Sequence, residues 1–352
     1  MKAKQDFEKM FFENVLKARF ASIKGLEDVK KQLKSALLAK RHVILVGPPG
    51  VGKTTLAKEV AKLLPKRVLN DCPYHCTPGH EICPECLKAK KQGKKIPTRV
   101  FSGEELFVRV QGSPELTPED LIGDIDPVKA LKYGPLSLEA FTPGKIFKAN
   151  NGVLFFDELN RCTEKLQNAL LQVLEEGKVT IGSYDVDIPS NFIFIGTMNP
   201  EDKSTEPLSD VFLDRFDVIF MGYPETLQLE LEIVKDKGTF LIPFNNEALS
   251  ITIDFVRSLR SSDLLEKKPS VRASIGLYER AQAYALLNNK KEATLEDVNA
   301  VLVSVLSHRI RSKPSYRYKL KVSEFLSREW RKFLEQKQLT SEDLKTSAGR
   351  YR

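Results

Sequence analysis

The sequence predicts an α/β fold in which helices cover both faces of a mainly parallel sheet, followed by an all-α domain. Three short apolar runs have the composition of strands buried on both faces, at residues 43–46, 152–158 and 192–200. Helical periodicity follows the first two runs, and a glycine-rich turn joins the first run to its helix. Beyond Pro224 only helical patterns occur, at residues 226–236, 247–262, 270–288 and 295–308.

The composition is that of a globular chain with room for two domains. The chain has 352 residues, of which 41% are hydrophobic. No apolar stretch approaches the roughly 20 residues that cross a bilayer, and the first residues mix acids with bases, so we expect no membrane insertion and a cytoplasmic location. The net charge of +8 leaves an acidic or nucleic-acid partner open, although acids are interspersed among the bases as on a solvated surface.

The elements before and between the strands read as helices. Apolar residues recur at helical spacing from Phe7 to Leu38, which predicts a short helix, a turn at Gly25 and a second helix. The helix after the second strand ends at Gly177, a residue type that commonly stops helices.

The C-terminal part also has helical signals. Thr294, with Asp297 three residues on, resembles a capping box. The tail has one apolar helical stripe, which either packs against the helical domain or binds a partner; its residues are Val322, Phe325, Leu326, Trp330, Phe333 and Leu334.

The glycine-rich turn predicts a nucleotide site. Residues 47–54, GPPGVGKT, match the pattern G-x-x-x-x-G-K-[ST] between a strand and a helix, which is the context that this motif needs. Glycines let backbone N–H groups close around phosphate oxygens, and Lys53 adds a point charge for the β and γ phosphates. Thr54 offers a hydroxyl to Mg²⁺. The alternative is a structural loop with this spacing by chance.

Two further strand ends have the residues that hydrolysis requires. Asp157, at the end of the second strand, can hold magnesium through water, and Glu158 beside it can polarise an attacking water. Asn199 follows the third strand and can hydrogen-bond the γ-phosphate or the water without adding negative charge. The alternatives are two solvated acids and an ordinary turn residue.

Four of the five cysteines lie within fifteen residues, which predicts a metal site. Their spacing is C-x₃-C-x₆-C-x₂-C, two close pairs that can bind a tetrahedral ion as thiolates, and the residues are Cys72, Cys76, Cys83 and Cys86. We expect zinc, with His75 or His80 as a substitute for one sulfur; an iron–sulfur cluster is the main rival.

The densest basic run follows the cysteines, at residues 86–99. It could contact nucleic acid, but no aromatic residue lies between Lys88 and Arg99 to stack on bases, so a solvated face is favoured.

These motifs in this order, with LDRFD at 213–217 and PSVRASI at 269–275, resemble the AAA+ ATPases over roughly residues 20–310. Within that superfamily the sequence looks most like the MoxR group and the motor subunit of magnesium chelatase. The resemblance rests on IKGLEDVKKQL before the first strand, TPGKIFKANNGVLFFDELNR around the second, and LLQVLEEGKVTIGSYDVDIPSNFIFIGTMNP through the third.

The resemblance implies roles for individual residues. Asp157 with Glu158 resembles Walker B with its catalytic glutamate, and Asn199 occupies the sensor-1 position. Arg215 in LDRFD matches the arginine finger that reaches the neighbouring subunit's nucleotide, with a surface salt bridge as the alternative. The remaining nucleotide contacts implied are the lid's sensor-2 Arg272, an adenine-packing or simply helix-start pair Ile23 and Gly25, and the Walker A residues Gly47, Pro48, Pro49, Gly50, Val51, Gly52, Lys53, Thr54 and Thr55.

The resemblance also implies a division into domains with inserts. We expect an N-terminal helix, an AAA+ nucleotide-binding domain, a helical lid, and a C-terminal helix with its tail, at residues 1–18, 19–223, 224–312 and 313–352. A cysteine-rich knuckle at 70–100 and a helix-2-type insert at 101–146 interrupt the AAA+ domain, and residues 177–189 look like the pre-sensor hairpin.

The function implied is that of an ATP-hydrolysing ring, of six subunits in most of this superfamily, that remodels a partner protein or assists metal or cofactor insertion. A client or adaptor with a von Willebrand factor A domain is what the family implies. The first alternative is a nucleic-acid-dependent motor, and the second is a scaffold that binds ATP without useful turnover, against which the intact Glu158 and Arg215 argue.

Overall fold

The computed structural model describes residues 2–181, 186–200, 208–317 and 321–337. The chain divides into two compact units, one comprising Met1–Gly47 with Gly52–Met221 and the other Pro48–Val51 with Gly222–Arg352. None of the helices in the described ranges is long and apolar enough to cross a membrane.

A five-stranded parallel sheet forms the centre of the first unit. Its strands, in sheet order, are β11 (Phe216–Phe220), β1 (His42–Val46), β10 (Ile193–Met198), β7 (Val153–Asp157) and β4 (Phe107–Gln111). The parallel sheet and its three predicted buried strands are confirmed. Because all five strands run the same way, the residues that follow β1, β7 and β10 meet at one edge.

Helices and short strand pairs surround this sheet. The helices are α1 (Lys2–Lys17), α2 (Glu27–Leu38), α3 (Lys53–Leu63), α4 (Pro84–Lys91), α5 (Pro118–Ile122), α6 (Pro127–Tyr133), α7 (Lys145–Lys148), α8 (Glu164–Glu176) and α9 (Asp210–Leu213). The antiparallel pairs are β2 (Arg67–Asn70) with β3 (Thr98–Phe101), β5 (Gly123–Ile125) with β6 (Phe141–Pro143), and β8 (Lys178–Ile181) with β9 (Val186–Pro189).

Several local predictions in this unit are confirmed. Gly25 has φ +65 between α1 and α2, and Gly177 ends α8 with φ +64. The predicted hairpin at 177–189 is the β8–β9 pair, whose connecting residues 182–185 lie outside the described ranges.

The cysteine segment is inserted between two paired strands of the first unit. Asn70 at the end of β2 lies opposite Thr98 at the start of β3, so the intervening residues form an excursion from this hairpin-like pair. The excursion is nevertheless built into the main hydrophobic core, because Cys76, Cys83 and Cys86 share that cluster with Phe147 and with strand residues of the central sheet.

The second unit is helical. Its helices are α10 (Leu227–Lys237), α11 (Asn246–Ser261), α12 (Val271–Leu287), α13 (Leu295–Leu306), α14 (Pro314–Arg317) and α15 (Val322–Gln336). The Thr294–Asp297 capping box is confirmed, and the apolar stripe of α15 packs into the core of this unit through Phe325, Leu326 and Trp330.

The expected helical lid is confirmed, and it also contains one short strand pair. Residues Leu265–Lys267 (β12) and Arg311–Ser312 (β13) form a short antiparallel pair. Strands of three and two residues are too short to produce an alternating pattern, and the pairing joins positions more than forty residues apart in the chain.

Candidate functional site

The glycine-rich turn runs from the end of β1 into the first turn of α3. Gly52 has φ +99 and directly precedes Lys53 at the start of α3, a conformation that favours glycine. A Cβ atom on Gly47 would lie 2.2 Å from the carbonyl oxygen of Met221, so no larger residue fits there. The Lys53 ammonium donates to the carbonyl oxygen of Gly47 at 2.5 Å, which places its charge over the turn. Thr54 and Thr55 occupy the same first turn of α3.

Asp157 is held at the carboxyl end of β7 by two donors. The Thr197 hydroxyl, from β10, donates to Asp157 Oδ1 at 2.7 Å, and the Arg109 guanidinium, from β4, contacts Oδ2 at 2.6 Å. The same Thr197 hydroxyl oxygen accepts from the backbone N–H of Glu158 at 2.9 Å. Thr197 therefore fixes both acids relative to the neighbouring strand.

Glu158 adopts a left-handed backbone conformation, with φ 56 and ψ 50. Its carboxylate accepts from Gln111 Nε2 at 2.9 Å and pairs with Arg161 Nη1 at 3.1 Å. Gly112 packs against this turn: its N–H donates to the carbonyl oxygen of Asp157 at 2.7 Å, and a Cβ on it would lie 2.1 Å from the carbonyl oxygen of Glu158. The Glu158 carboxylate is therefore held between Gln111 of β4 and Arg161, while Gly112 packs against its backbone.

The sequence reading missed the β4 residues that support the two acids. Arg109 and Gln111 lie two apart, so they share one face of β4, and Gln111 is opposite Asp157 in the sheet register. That polar alternation was visible, but nothing in the sequence shows that β4 pairs with β7, more than forty residues away. The other unpredicted supports are Gly112 and Thr197.

Asn199 and Ile23 lie near this edge. Asn199 follows the last residue of β10, Met198, and its carbonyl oxygen accepts from Asn160 Nδ2 at 3.5 Å. Ile23 is 7% exposed, and its Cδ1 atom lies 2.9 Å from the position of a Cβ on Gly52, so it packs against the glycine-rich turn. Gly25, two residues further on, has φ +65 in the connection between α1 and α2.

Arg215 lies at the opposite edge of the sheet. It directly precedes Phe216, which pairs with His42 at the start of β1, whereas the glycine-rich turn follows Val46 at the end of that strand. The five residues of β1 span roughly 13 to 17 Å at the usual rise per residue. Arg215 forms ion pairs with Glu175 and Asp214, its Nε is buried, and it lines a polar cavity of about 510 Å³ with Lys40 and Arg41.

Arg272 is the second residue of α12 in the helical unit. The tip of the glycine-rich turn, Pro48–Val51, belongs to the same unit. Within it, the Arg272 Cγ and the Ser270 hydroxyl lie 3.1 Å and 3.4 Å from where a Cβ on Gly50 would be. Arg272 therefore lies beside the tip of the glycine-rich turn at Gly50.

The four clustered cysteines form a compact thiol group. Their sulfur atoms all lie within 4.8 Å of one another, and three of the four residues are buried. Backbone N–H groups donate to three of the sulfurs at 3.4 to 3.5 Å, from Cys76 to Cys72, from Ile82 to Cys76 and from Cys86 to Cys83. Neither histidine is part of this set, and the His75 ring instead contacts the carbonyl oxygen of Lys148 at 2.9 Å.

Proximity splits the acidities of these thiols. Hydrogen bonds from Cys76 and Cys83 lower the pKa of Cys72 far below its ordinary value, while hydrogen bonds with Cys72 and Cys76 raise the pKa of Cys83. Burial raises the pKa of Cys86 to about 12. Four sulfurs so close together carry several thiolates only when a cation compensates their charge, so the donor set fits a soft metal ion.

The basic run after the cysteines is partly neutralised. Lys88 pairs with Glu139 at 2.6 Å, and Lys90 pairs with Glu81 at 2.5 Å. The hydrogen bond from Lys90 holds the pKa of Glu81 down at about 2. This supports the solvated face over a nucleic-acid site.

Three family profiles match successive parts of the chain. The profile for the ATPase family associated with various cellular activities (AAA) matches residues 93–218, the AAA lid domain matches 258–324, and magnesium chelatase subunit ChlI matches 19–77.

Curated relatives extend the similarity over most of the chain. A magnesium-chelatase subunit ChlI homolog of Methanocaldococcus jannaschii is 30% identical over 325 residues, covering 84% of this chain and 86% of that protein. The chloroplastic magnesium-chelatase subunit ChlI-2 of Arabidopsis thaliana is 30% identical over 330 residues, 84% of this chain and 76% of that protein. A solved structure described as the complex between magnesium-chelatase subunits BchI and BchD has a TM-score of 0.47 and 22% identity, over 87% of this chain and 98% of that one.

Proposed function

The chain belongs to the magnesium-chelatase ChlI family of AAA ATPases and is an ATPase; from that premise we propose that it works as a homo-oligomeric ring, of six subunits as is usual in this superfamily, that remodels a partner protein or assists metal or cofactor insertion. The observation that carries the ring is the placement of Arg215 at the edge of the sheet opposite the glycine-rich turn.

The residues around the turn have the donors that a magnesium nucleotide needs. The backbone N–H groups of the turn and the Lys53 ammonium would hold phosphate oxygens, and Thr54 with Asp157 would hold Mg²⁺, whose charge would stabilise the β and γ phosphates. Arg109 contacts one carboxylate oxygen of Asp157, and the Thr197 hydroxyl contacts the other.

Glu158 is the residue that activates water in this proposal. Gln111 and Arg161 hold its carboxylate, and the Thr197–Asp157 contact fixes the strand end from which it projects. The carboxylate accepts a proton from the attacking water while Asn199 hydrogen-bonds that water or the γ-phosphate.

Arg215 cannot serve the nucleotide of its own subunit, because the length of β1 separates the two. A guanidinium can instead reach a phosphate presented by a second copy of the chain, and arginines supplied in this way contribute about 10³ to 10⁵ in rate in related systems. Contacts of this head-to-tail kind generate a ring when the rotation between successive subunits closes. Movement of one subunit against the next is then the step that acts on the partner.

The partner is a protein in our proposal, an adaptor or client that includes a von Willebrand factor A domain as the family implies. The nucleic-acid motor is less well supported, because Lys88 and Lys90 in the basic run are paired with acids.

We propose zinc for the cysteine cluster. Four sulfurs within 4.8 Å of one another match a closed tetrathiolate set, and such sites are structural when all four positions come from protein. Asn70 Nδ2 lies 3.6 Å from Cys86 Sγ, an outer-shell hydrogen bond of the kind that orients a ligand.

Mixing two inactive variants tests the ring. Lys53→Ala removes the phosphate-binding charge but retains Arg215, and Arg215→Ala retains the turn but loses the arginine. Each alone should hydrolyse ATP poorly. In a 1:1 mixture that assembles at random, about a quarter of the interfaces should combine an intact turn with an intact arginine and regain activity. Arg280→Ala, at an exposed arginine of α12, is the control and should mix without effect. No recovery at any ratio would show that Arg215 does not act between subunits.

A further inference from the structure

The cysteine cluster lies against the turn that starts the Walker B strand. Tyr74, between the first two cysteines, packs its ring against Phe147 in α7 with centroids 5.0 Å apart. Both residues belong to the main core, with 4% and 0% of their surfaces exposed. The cysteine-rich knuckle is therefore part of the main hydrophobic core and not a separate insert on the surface.

Three hydrogen bonds connect the knuckle to a turn at residues 148–151, which begins at the last residue of α7. Asn150 Nδ2 donates to the carbonyl oxygen of Tyr74 at 2.8 Å, and Asn151 Nδ2 donates to that of His75 at 2.9 Å. In the other direction, the His75 ring contacts the carbonyl oxygen of Lys148 at 2.9 Å. Four consecutive residues of the turn, 148–151, thus contain every turn-side partner of these bonds.

The same turn is joined to the entry of two catalytic strands. Asn191 lies two residues before β10, and its backbone N–H donates to Asn150 Oδ1 at 3.0 Å. The carbonyl oxygen of Asn191 accepts from the backbone N–H of Asn151 at 2.6 Å. Gly152 then leads directly into β7, and its carbonyl oxygen accepts from Ile193 at 3.0 Å. β7 ends in Asp157, and β10 contains Thr197 and precedes Asn199.

The loop that makes these contacts lacks regular structure of its own. Between β2 and α4 it consists of turns and the isolated Thr77–His80 bridge. The cysteines join the two ends of the loop, because their four sulfurs all lie within 4.8 Å of one another. A bound ion supplies folding free energy to such a segment, because the unfolded segment does not hold the ion in the same way.

We propose that metal in the cysteine cluster fixes the 148–151 turn, and that Asn150 and Asn151 transmit this order to β7 and β10, so that metal loss loosens the strands that hold the hydrolytic residues. This inference rests on the zinc site proposed above. It concerns the order of the nucleotide domain, and its primary readouts do not require ATP hydrolysis.

Two substitutions separate metal binding from transmission. Cys83→Ser removes a ligand. Asn151→Gly retains all four sulfurs and suits the backbone, since Asn151 has φ +67, but it deletes the side chain that donates to His75. Asn289→Gly is the matched control, because Asn289 is an exposed lid residue with φ +54 and lies far from the cysteines in the chain.

The measurements are zinc content by mass spectrometry, thermal unfolding, and hydrogen exchange of peptides that cover β7 and β10. We expect one zinc ion per chain in the wild type and in Asn151→Gly, and none in Cys83→Ser. Exchange in both strands should accelerate about tenfold in Cys83→Ser, in chelator-treated wild type and, to a lesser degree, in Asn151→Gly. The transition temperature of Asn151→Gly should fall by about 2 to 4 °C, and its ATPase rate by about two- to thirtyfold.

The outcomes that overturn the proposal are distinct. If Asn151→Gly exchanges at β7 and β10 like Asn289→Gly, or if chelation accelerates exchange only between residues 72 and 91, the knuckle is an isolated staple. A wild type that neither contains nor takes up zinc refutes the site itself. A zinc-loaded wild type without ATPase activity refutes the proposed hydrolytic roles, while the exchange data still decide the coupling. Should Cys83→Ser fail to fold, Asn151→Gly and the chelated wild type decide it.

Discussion

We expect Glu230→Gln to destabilise the helical unit by about 3 to 5 kcal/mol, the usual cost of leaving one member of a buried ion pair without its partner. Glu230 in α10 is fully buried. Its carboxylate accepts two hydrogen bonds from the Arg260 guanidinium at 2.6 and 2.7 Å, one from the Ser274 hydroxyl at 2.6 Å and one from Arg257 at 3.2 Å.

Glutamine would retain the shape but lose the charge and one of the two acceptor oxygens. Its carbonyl oxygen could still accept from Ser274 and one arginine nitrogen, while its amide would place a second donor against the remaining guanidinium N–H groups. Arg260 is only 8% exposed, so its charge would stay desolvated and uncompensated. Since Arg260 Nε also donates to the carbonyl oxygen of Pro269 at 2.8 Å, the start of α12 and Arg272 would lose a restraint.

Urea unfolding followed by tryptophan fluorescence measures this effect. Trp330 is the single tryptophan of the chain, is 2% exposed and packs edge-to-face on Phe255 with ring centroids 4.9 Å apart, so it reports on the helical unit. We expect the urea midpoint to fall by more than about 1 M at constant slope. Glu232→Gln removes the same charge from an exposed site on α10 and should change the free energy of unfolding by less than about 0.5 kcal/mol. Equal effects of the two substitutions would refute the reasoning.

Three further predictions concern the nucleotide domain. Glu158→Gln should leave ATP affinity near the wild-type value while the steady-state rate falls by about 10² or more, because the water loses its base; normal turnover would remove Glu158 from the mechanism. Gly112→Ala should also slow hydrolysis, since the added methyl group would meet the Glu158 carbonyl oxygen at 2.1 Å, and an unchanged rate would show that this turn tolerates displacement. Burial lowers the pKa of His42 to about 4 from its ordinary value of 6.5, so the unfolded chain binds the proton first as the pH falls. The stability that neutral His42 contributes should be complete above about pH 6.5 and lost towards pH 4, a loss of up to about 3 kcal/mol. Thermal unfolding measured against pH should show this slope in the wild type and lack it in His42→Gln.

The predictable part of the fold is the part encoded by neighbouring residues. The glycine-rich turn, the Asp157–Glu158 pair and the cysteine spacing each lie within a short stretch, so their chemistry was legible without knowing the topology. Gly25, Gly177 and the Thr294 cap were legible for the same reason, since turn and cap preferences are local.

The supports of the site were not predictable, because they come from distant strands. Arg109 and Gln111 reach the two acids only because β4 pairs with β7, and Thr197 does so only because β10 pairs with the other side of β7. The ion pair of Arg215 with Glu175 likewise joins residues forty apart in the chain. Sheet order decides such contacts, and a single sequence does not encode it in any short pattern.

Because Glu158 has a left-handed backbone conformation, the residue that hydrolysis needs at this position is not the residue that gives the most stable fold. A residue with a Cβ atom in this conformation carries a strain of about 1 kcal/mol or more, which asparagine and glycine largely avoid. Glu158→Gly or Glu158→Asn should therefore raise the melting temperature while abolishing turnover. A library of variants ranked by thermostability alone would select inactive enzymes at this position. If such a library is selected for ATP hydrolysis as well as for thermostability, the glutamate should be retained at this position.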